Sequence, residues 1–192
     1  MKKVLILLAV VLSFGAAKGQ TEQGNFLLGG SFGASFNNRK VETPTSNPNQ
    51  TVITETRSTG ITFTPKVGFF ITDGMAIGLD ADINSTTSKN KDNNVKSTSS
   101  YFTVGPFARY YFPVNLFIEG GAGIGSGKNA AYAETRVFKY SVGAGFAAFL
   151  NDNVALEPMV SYSGLNFTNS KNTDFKTRNS GLQVSLGLQI YL

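Results

Sequence analysis

Through most of this chain apolar residues recur at every second position, in runs of about ten residues separated by polar stretches. Successive side chains of an extended strand point to opposite faces, so this period specifies β-strands with one greasy and one polar face. The first run shows the pattern. Phe26, Leu28, Gly30, Phe32, Ala34 and Phe36 share one face, and Leu27, Gly29, Ser31, Gly33 and Ser35 the other. Seven further runs follow, with apolar faces at Ile61–Phe69, Met75–Ile83, Phe102–Phe112, Leu116–Ile124, Phe138–Ala148, Val154–Tyr162 and Leu182–Leu192. The expectation is an all-β chain of eight strands.

The connections alternate as well. Thr72-Asp73-Gly74, Pro113-Val114-Asn115 and Asn151-Asp152-Asn153 are tight turns, with Gly74 able to supply a positive φ. Alternating with them are four longer polar stretches, Asn37–Thr56, Ser85–Ser99, Ser126–Glu134 and Asn166–Arg178. In an up-and-down sheet all connections of one parity lie at one end. The pattern therefore predicts an eight-stranded antiparallel up-and-down transmembrane β-barrel, with short turns at one end and four long external loops at the other.

The N-terminus reads as a targeting segment. Met1-Lys2-Lys3 precedes an apolar run from Val4 to Phe14 and the small residues Gly15-Ala16-Ala17. The run is shorter than the roughly 20 residues a membrane-spanning helix needs. Residues 1–19 are thus expected to be a signal peptide cleaved after Gly19, and 20–192 the barrel. Of 17 basic and 12 acidic residues, Lys2, Lys3 and Lys18 would leave with the signal, lowering the net charge from +5 to +2. The basic pI is then partly a targeting effect, and no nucleic-acid partner is expected.

Cysteine and histidine are both absent. No disulfide framework or thiolate metal site can form, and the commonest general base is missing. The sequence predicts no catalytic activity, cofactor or metal. Ala122-Gly123-Ile124-Gly125-Ser126-Gly127-Lys128-Asn129 fails as a phosphate loop at its first position and at the last, where a hydroxyl is needed. Gly121, Gly123, Gly125 and Gly127 instead recur on the polar face, where they are expected to leave room for long side chains such as Arg109 or Tyr111.

The polar face is rich in glycine and serine and carries few charges: Lys66, Asp80, Asp82, Arg109, Glu119, Lys139 and Glu157. An eight-stranded barrel has an interior just wide enough for side chains, and buried charges require partners. These seven residues are expected to form a lumen charge network that is a structural plug, with the apolar face outside in lipid. Phe26, Phe36, Phe69, Phe102, Tyr110, Phe112, Phe138 and Tyr162 lie near strand ends, where interfacial aromatic girdles occur. Pro65, Pro106 and Pro158 fall within runs, which predicts bulges or strand ends there.

Certain segments resemble a known family. They are Gly29-Gly30-Ser31-Phe32-Gly33, Phe117-Ile118-Glu119-Gly120-Gly121-Ala122-Gly123, Val154-Ala155-Leu156-Glu157-Pro158 and the alternating C-terminal strand. With these the chain resembles the small outer-membrane barrels grouped with the OmpA transmembrane domain and OmpX, in the form common in Bacteroidetes. It departs from them by ending in Leu192 rather than Phe. The resemblance implies a monomer in the bacterial outer membrane, inserted by the barrel-assembly machinery and surrounded by lipid. Lipopolysaccharide is a candidate contact for the polar stretch holding Lys89, Lys91, Asp92 and Lys96. The leading functional expectation is a structural or surface-interaction protein. A narrow channel and a periplasmic ligand-binding barrel are the alternatives, and no motif in the loops names a partner.

Overall fold

The computed structural model describes residues 20–44, 51–90, 96–128, 134–169 and 176–192. The expected signal segment lies outside these residues, as do Lys91 and Asp92. The side chain of Phe36 is likewise outside the description.

The strands are β1 (Phe26–Pro44), β2 (Thr51–Thr72), β3 (Met75–Asn90), β4 (Lys96–Tyr111), β5 (Leu116–Lys128), β6 (Glu134–Phe146, resuming at Ala148–Phe149), β7 (Val154–Asn169) and β8 (Lys176–Tyr191). Each pairs antiparallel with the next, and β8 pairs back onto β1 to close the barrel. The closing seam is short, running from Leu27↔Tyr191 to Ala34↔Val184. Backbone hydrogen bonds exchanged between Phe26 and Leu192 extend it at the turn end.

The pairings also fix the shear. From Phe32 the partners run through Phe63, Ile83, Phe102, Ser126, Arg136, Thr168 and Lys176; the β8 register then returns to position 42, ten residues along β1. With eight strands this stagger tilts them by about 40° from the barrel axis. Closure removes the edges that an open sheet would present in the bilayer.

Polarity is inverted relative to a water-soluble protein. Phe32, Ile61, Ile124, Val142, Leu182 and Val184 are each more than three-fifths exposed on the outer wall. Inside lie Thr62, Thr64, Lys66, Asp82, Asn84, Thr103, Arg109, Glu157 and Gln189, all buried. A soluble chain rarely shows apolar patches beyond a few hundred Å², whereas here the apolar surface circles the barrel. The apolar face of β2, Ile61–Phe69, rises roughly 20 Å along the axis at this tilt, close to the apolar band of outer-membrane barrels. Phe26, Phe69, Tyr110 and Phe112 mark its turn-end border, and Phe102, Phe138 and Tyr162 the loop-end border; all seven are exposed.

The tight turns lie where expected. Gly74 has φ 75° and Asn115 φ 61°, so the second turn places asparagine, which tolerates the left-handed region, at the bend. In the third, Asn151 Oδ1 accepts hydrogen bonds from the backbone N–H of Asn153 and Val154 at 2.9 and 2.8 Å.

Two expectations need correction. The polar stretches are mostly not loops: β1 and β2 stay paired out to Pro44↔Thr51, and β3 and β4 to Lys89↔Lys96. Alternation in hydropathy stops where the membrane stops, but backbone pairing does not, so polar hairpins continue above the apolar band. The prolines, in turn, do not make bulges. The ladder from β2 to β3 lapses at Thr64 and Pro65, and that from β4 to β5 at Gly105 and Pro106, yet the register is the same on either side. β6 breaks at Phe146–Ala147, where Pro158 on β7 has no N–H to offer, and Ala148↔Leu156 resumes the same register. The one register shift of β2 against β3 is between Phe70 and Thr72, beside the first turn.

Candidate functional site

Alternation sends one residue in two into the lumen, and strand stagger stacks them in layers. At the turn end the layer is apolar. Leu27, Phe70, Ala76, Phe117, Ala147, Ala155 and Tyr191 are almost completely buried there. Their rings form a continuous floor, with Phe70 to Tyr111 at 5.7 Å, Tyr111 to Phe117 at 5.5 Å and Phe149 to Tyr191 at 5.0 Å between centroids.

Above the floor sits Arg109 of β4, its side chain 1% exposed. Its Nε and Nη2 donate to Glu119 Oε2 at 2.7 and 2.6 Å, and its Nη1 to Glu157 Oε2 at 2.7 Å. The same Nη1 donates to the Tyr111 hydroxyl at 2.6 Å. The guanidinium lies over the Phe117 ring, 4.1 Å from its centroid. Lys66 Nζ donates to both oxygens of Glu119 at 2.6 Å, reaching across the lumen from β2 to β5. Tyr191 donates to Glu157 Oε1 at 2.5 Å, which uses its only hydrogen. In the 2.8 Å contact between the two tyrosine hydroxyls, Tyr111 is therefore the donor.

Towards the loop end Asp82 gathers a second group. Lys139 donates to its Oδ2, Thr64 to its Oδ1 at 2.7 Å and Thr103 to its Oδ2 at 3.4 Å. Beyond it the lining is neutral, with Asn84 Nδ2 donating to Thr62 Oγ1 at 2.8 Å and Thr86 Oγ1 to Asn84 Oδ1 at 2.9 Å.

Of the seven inward charges named from the sequence, Lys66, Arg109, Glu119 and Glu157 meet in one cluster, and Asp82 and Lys139 in another. Asp80 joins no ion pair among the described residues. It stands opposite Lys66 in the β2–β3 register, but the ammonium turns to Glu119. Tyr111, Tyr191, Thr64 and Thr103 are members that the charge pattern alone did not single out. Their inward parity was the available signal, since each lies on the same face as a charged residue of its strand or of the strand beside it.

The glycine row on β5 does something other than expected. A Cβ at Gly121 or Gly123 would lie 3.2 or 3.3 Å from Pro106 O or Val104 O, and one at Gly125 would run into Phe102 O. These glycines admit the backbone of β4, not Arg109 or Tyr111. Long side chains are received elsewhere: Gly145 by Phe117, Gly33 by Gln183 and Gly164 by the Tyr140 ring.

The lumen clusters are built to hold charge in place, because every ionised group in them has a partner of opposite sign. Glu119→Ala is expected to lower the stability of the folded barrel by ~2–3 kcal/mol, somewhat below the usual loss for breaking a buried pair, because Lys66 can turn to Asp80 opposite it. Urea unfolding in detergent checks this, and Asp80→Asn added to the variant should deepen the loss. An unchanged midpoint would remove Glu119 from the structural network.

The chain is similar to solved structures of outer-membrane proteins. Neisserial surface protein A (NspA) shares 15% identity at a TM-score of 0.51, covering 88% of this chain and 97% of that one. OprG from Pseudomonas aeruginosa shares 13% identity at a TM-score of 0.49, covering 89% and 97%. No curated protein matches the chain in sequence. A family described as the outer membrane protein beta-barrel domain matches residues 5–190. The inverted polarity, the closed eight-stranded sheet and this match agree: the chain belongs to the outer membrane protein beta-barrel domain family and is a protein of the bacterial outer membrane.

Proposed function

We propose that this barrel has a structural or surface-interaction role, exercised through the polar hairpins above its apolar band, and that its lumen is a plug. The observation that carries this reading is the cross-lumen chain Lys66–Glu119–Arg109–Glu157–Tyr191 over a floor of aromatic rings. A conducting path would have to break several charge-assisted hydrogen bonds at once and then pass the rings, which supply no replacement for an ion's hydration shell. The same filling argues against a ligand held inside the barrel. The hairpins, by contrast, present long polar strands such as β1–β2 beyond the membrane.

Planar-bilayer recording tests the plug. Wild-type protein is expected to give no steady single-channel steps. Regular steps that vanish or change size on substituting Arg109 or Glu119 would replace this reading with the channel.

A further inference from the structure

The exposed charges of the described residues are separated by sign. Arg57, Lys89, Lys96, Lys128, Arg136 and Arg178 are exposed at the loop end, and Glu22, Asp73 and Asp152 at the turn end. The other charged residues of positions 37–56, 90–95, 129–134 and 169–177 are five basic and five acidic in the sequence, so they leave the loop-end excess uncorrected.

Three of these cations stand in one row. Arg57 on β2 pairs directly with Lys89 on β3, and Lys89 pairs directly with Lys96 on β4. All three share the outward parity of the apolar residues below them, Ile61, Ile83 and Phe102. Like charges directly opposite on one sheet face repel, their Cβ atoms being only about 5 Å apart. Glu55, two residues before Arg57 on β2, stands in register opposite Lys40 on β1, so the carboxylate nearest the row along β2 comes with a cation of its own. The row lies four to six residues beyond the last apolar residue of each strand, which at the barrel's tilt is roughly 10–15 Å above the hydrocarbon edge. That is the depth of headgroup and inner saccharide phosphates, not of acyl chains.

We propose that Arg57, Lys89 and Lys96 form a docking site for the phosphates of an anionic glycolipid of the outer leaflet, a lipopolysaccharide. The phosphates neutralise a row that otherwise repels itself, and the apolar wall beneath receives the acyl chains. This deepens the surface-interaction reading and rests on the loop end facing outward.

The test uses purified protein in nonionic detergent, titrated with diphosphoryl lipid A and read as the shift in its thermal unfolding midpoint. Wild type should shift upward. Arg57→Gln/Lys89→Gln/Lys96→Gln should bind roughly a hundredfold more weakly, at about fivefold per cation near an anionic lipid surface. Lys128→Gln/Arg136→Gln should keep most of the response. Without lipid, the triple variant should unfold at or above the wild-type midpoint, since repulsion is relieved. The proposal is overturned if wild type does not respond, if the triple variant responds equally, or if it is already destabilised in plain detergent. It is also overturned if dephosphorylated lipid A or inorganic phosphate produces the same shift. Orientation is read separately, by labelling Thr98→Cys, an exposed position on the outer face beside Lys96, on intact cells. The chain has no other cysteine, so a buried label there would refute the surface reading without touching the lipid titration.

Discussion

Arg109→Ala should cause the largest loss of stability of any single substitution in the lumen, about 5 kcal/mol, at the upper end for breaking a buried ion pair. The guanidinium is the only group that binds both Glu119 and Glu157 among the described residues. Removing it leaves two carboxylates inside a narrow lumen, with Lys66 available to one of them, and strips Phe117 of the cation stacked on it. Arg109→Lys should recover only part, because one ammonium cannot span both carboxylates as the planar fork does. The decisive comparison is Arg109→Ala/Glu157→Gln, which has the same cavity, keeps Glu119 paired with Lys66 and leaves no unpaired carboxylate. It should regain most of the loss if uncompensated charge is the cause, and none if packing is. Equilibrium unfolding in detergent micelles measures all three. A wild-type midpoint for Arg109→Ala would mean that water already screens the cluster, and the plug would lose its basis.

Gly105→Val should rank next, with a loss of about 3 kcal/mol or more. Gly105 faces inward on β4, where a Cβ would collide with the carbonyl oxygen of Ala122 and crowd the Gly123 backbone on β5. A flexible side chain could move aside, but a neighbouring strand cannot without giving up its ladder. That ladder already lapses at Gly105 and Pro106, so the flanking pairs Val104↔Ile124 and Phe107↔Gly121 are the ones that would be lost. A useful control is Gly120→Ala on the outer face, where the nearest atom to a Cβ is Ser141 O at 3.8 Å; it should be nearly neutral. Heat-dependent gel mobility of the refolded variants separates a barrel that fails to close from one that closes and is less stable. If Gly105→Val refolds with the wild-type midpoint, the close approach of β4 and β5 is not a constraint.

Residue by residue, the legible and illegible parts divide cleanly. Outward positions such as Ile61, Phe63, Val67 and Phe69 were readable because lipid on one side and a polar lumen on the other impose period two on every strand they touch. The turn at Asp73-Gly74 was readable from residue chemistry. The strand ends above the membrane were not, because residues such as Ser58, Ser88, Thr87 and Thr98 are polar on both faces while remaining paired. Nor could the glycines of β5 be assigned to their real neighbour, since close approach of two backbones leaves no mark in side-chain pattern. Asp80 and Asp82 are equivalent in the sequence; among the described residues Asp82 is ion-paired and Asp80 is not, because Lys66 has two carboxylates within reach and takes Glu119.

The sequence by itself determined the membrane-spanning parts of the strands, their number, the two faces and the ends at which the short turns and the long polar hairpins lie, because each is a local consequence of alternation and turn chemistry. Only the tertiary structure decided which inward charges meet. Lys66 and Glu119 are 53 residues apart, and Arg109 and Glu157 are 48 apart. They face one another because closure with a shear of ten brings non-adjacent strands across one narrow lumen at the same height, and no periodicity along a single strand carries that information.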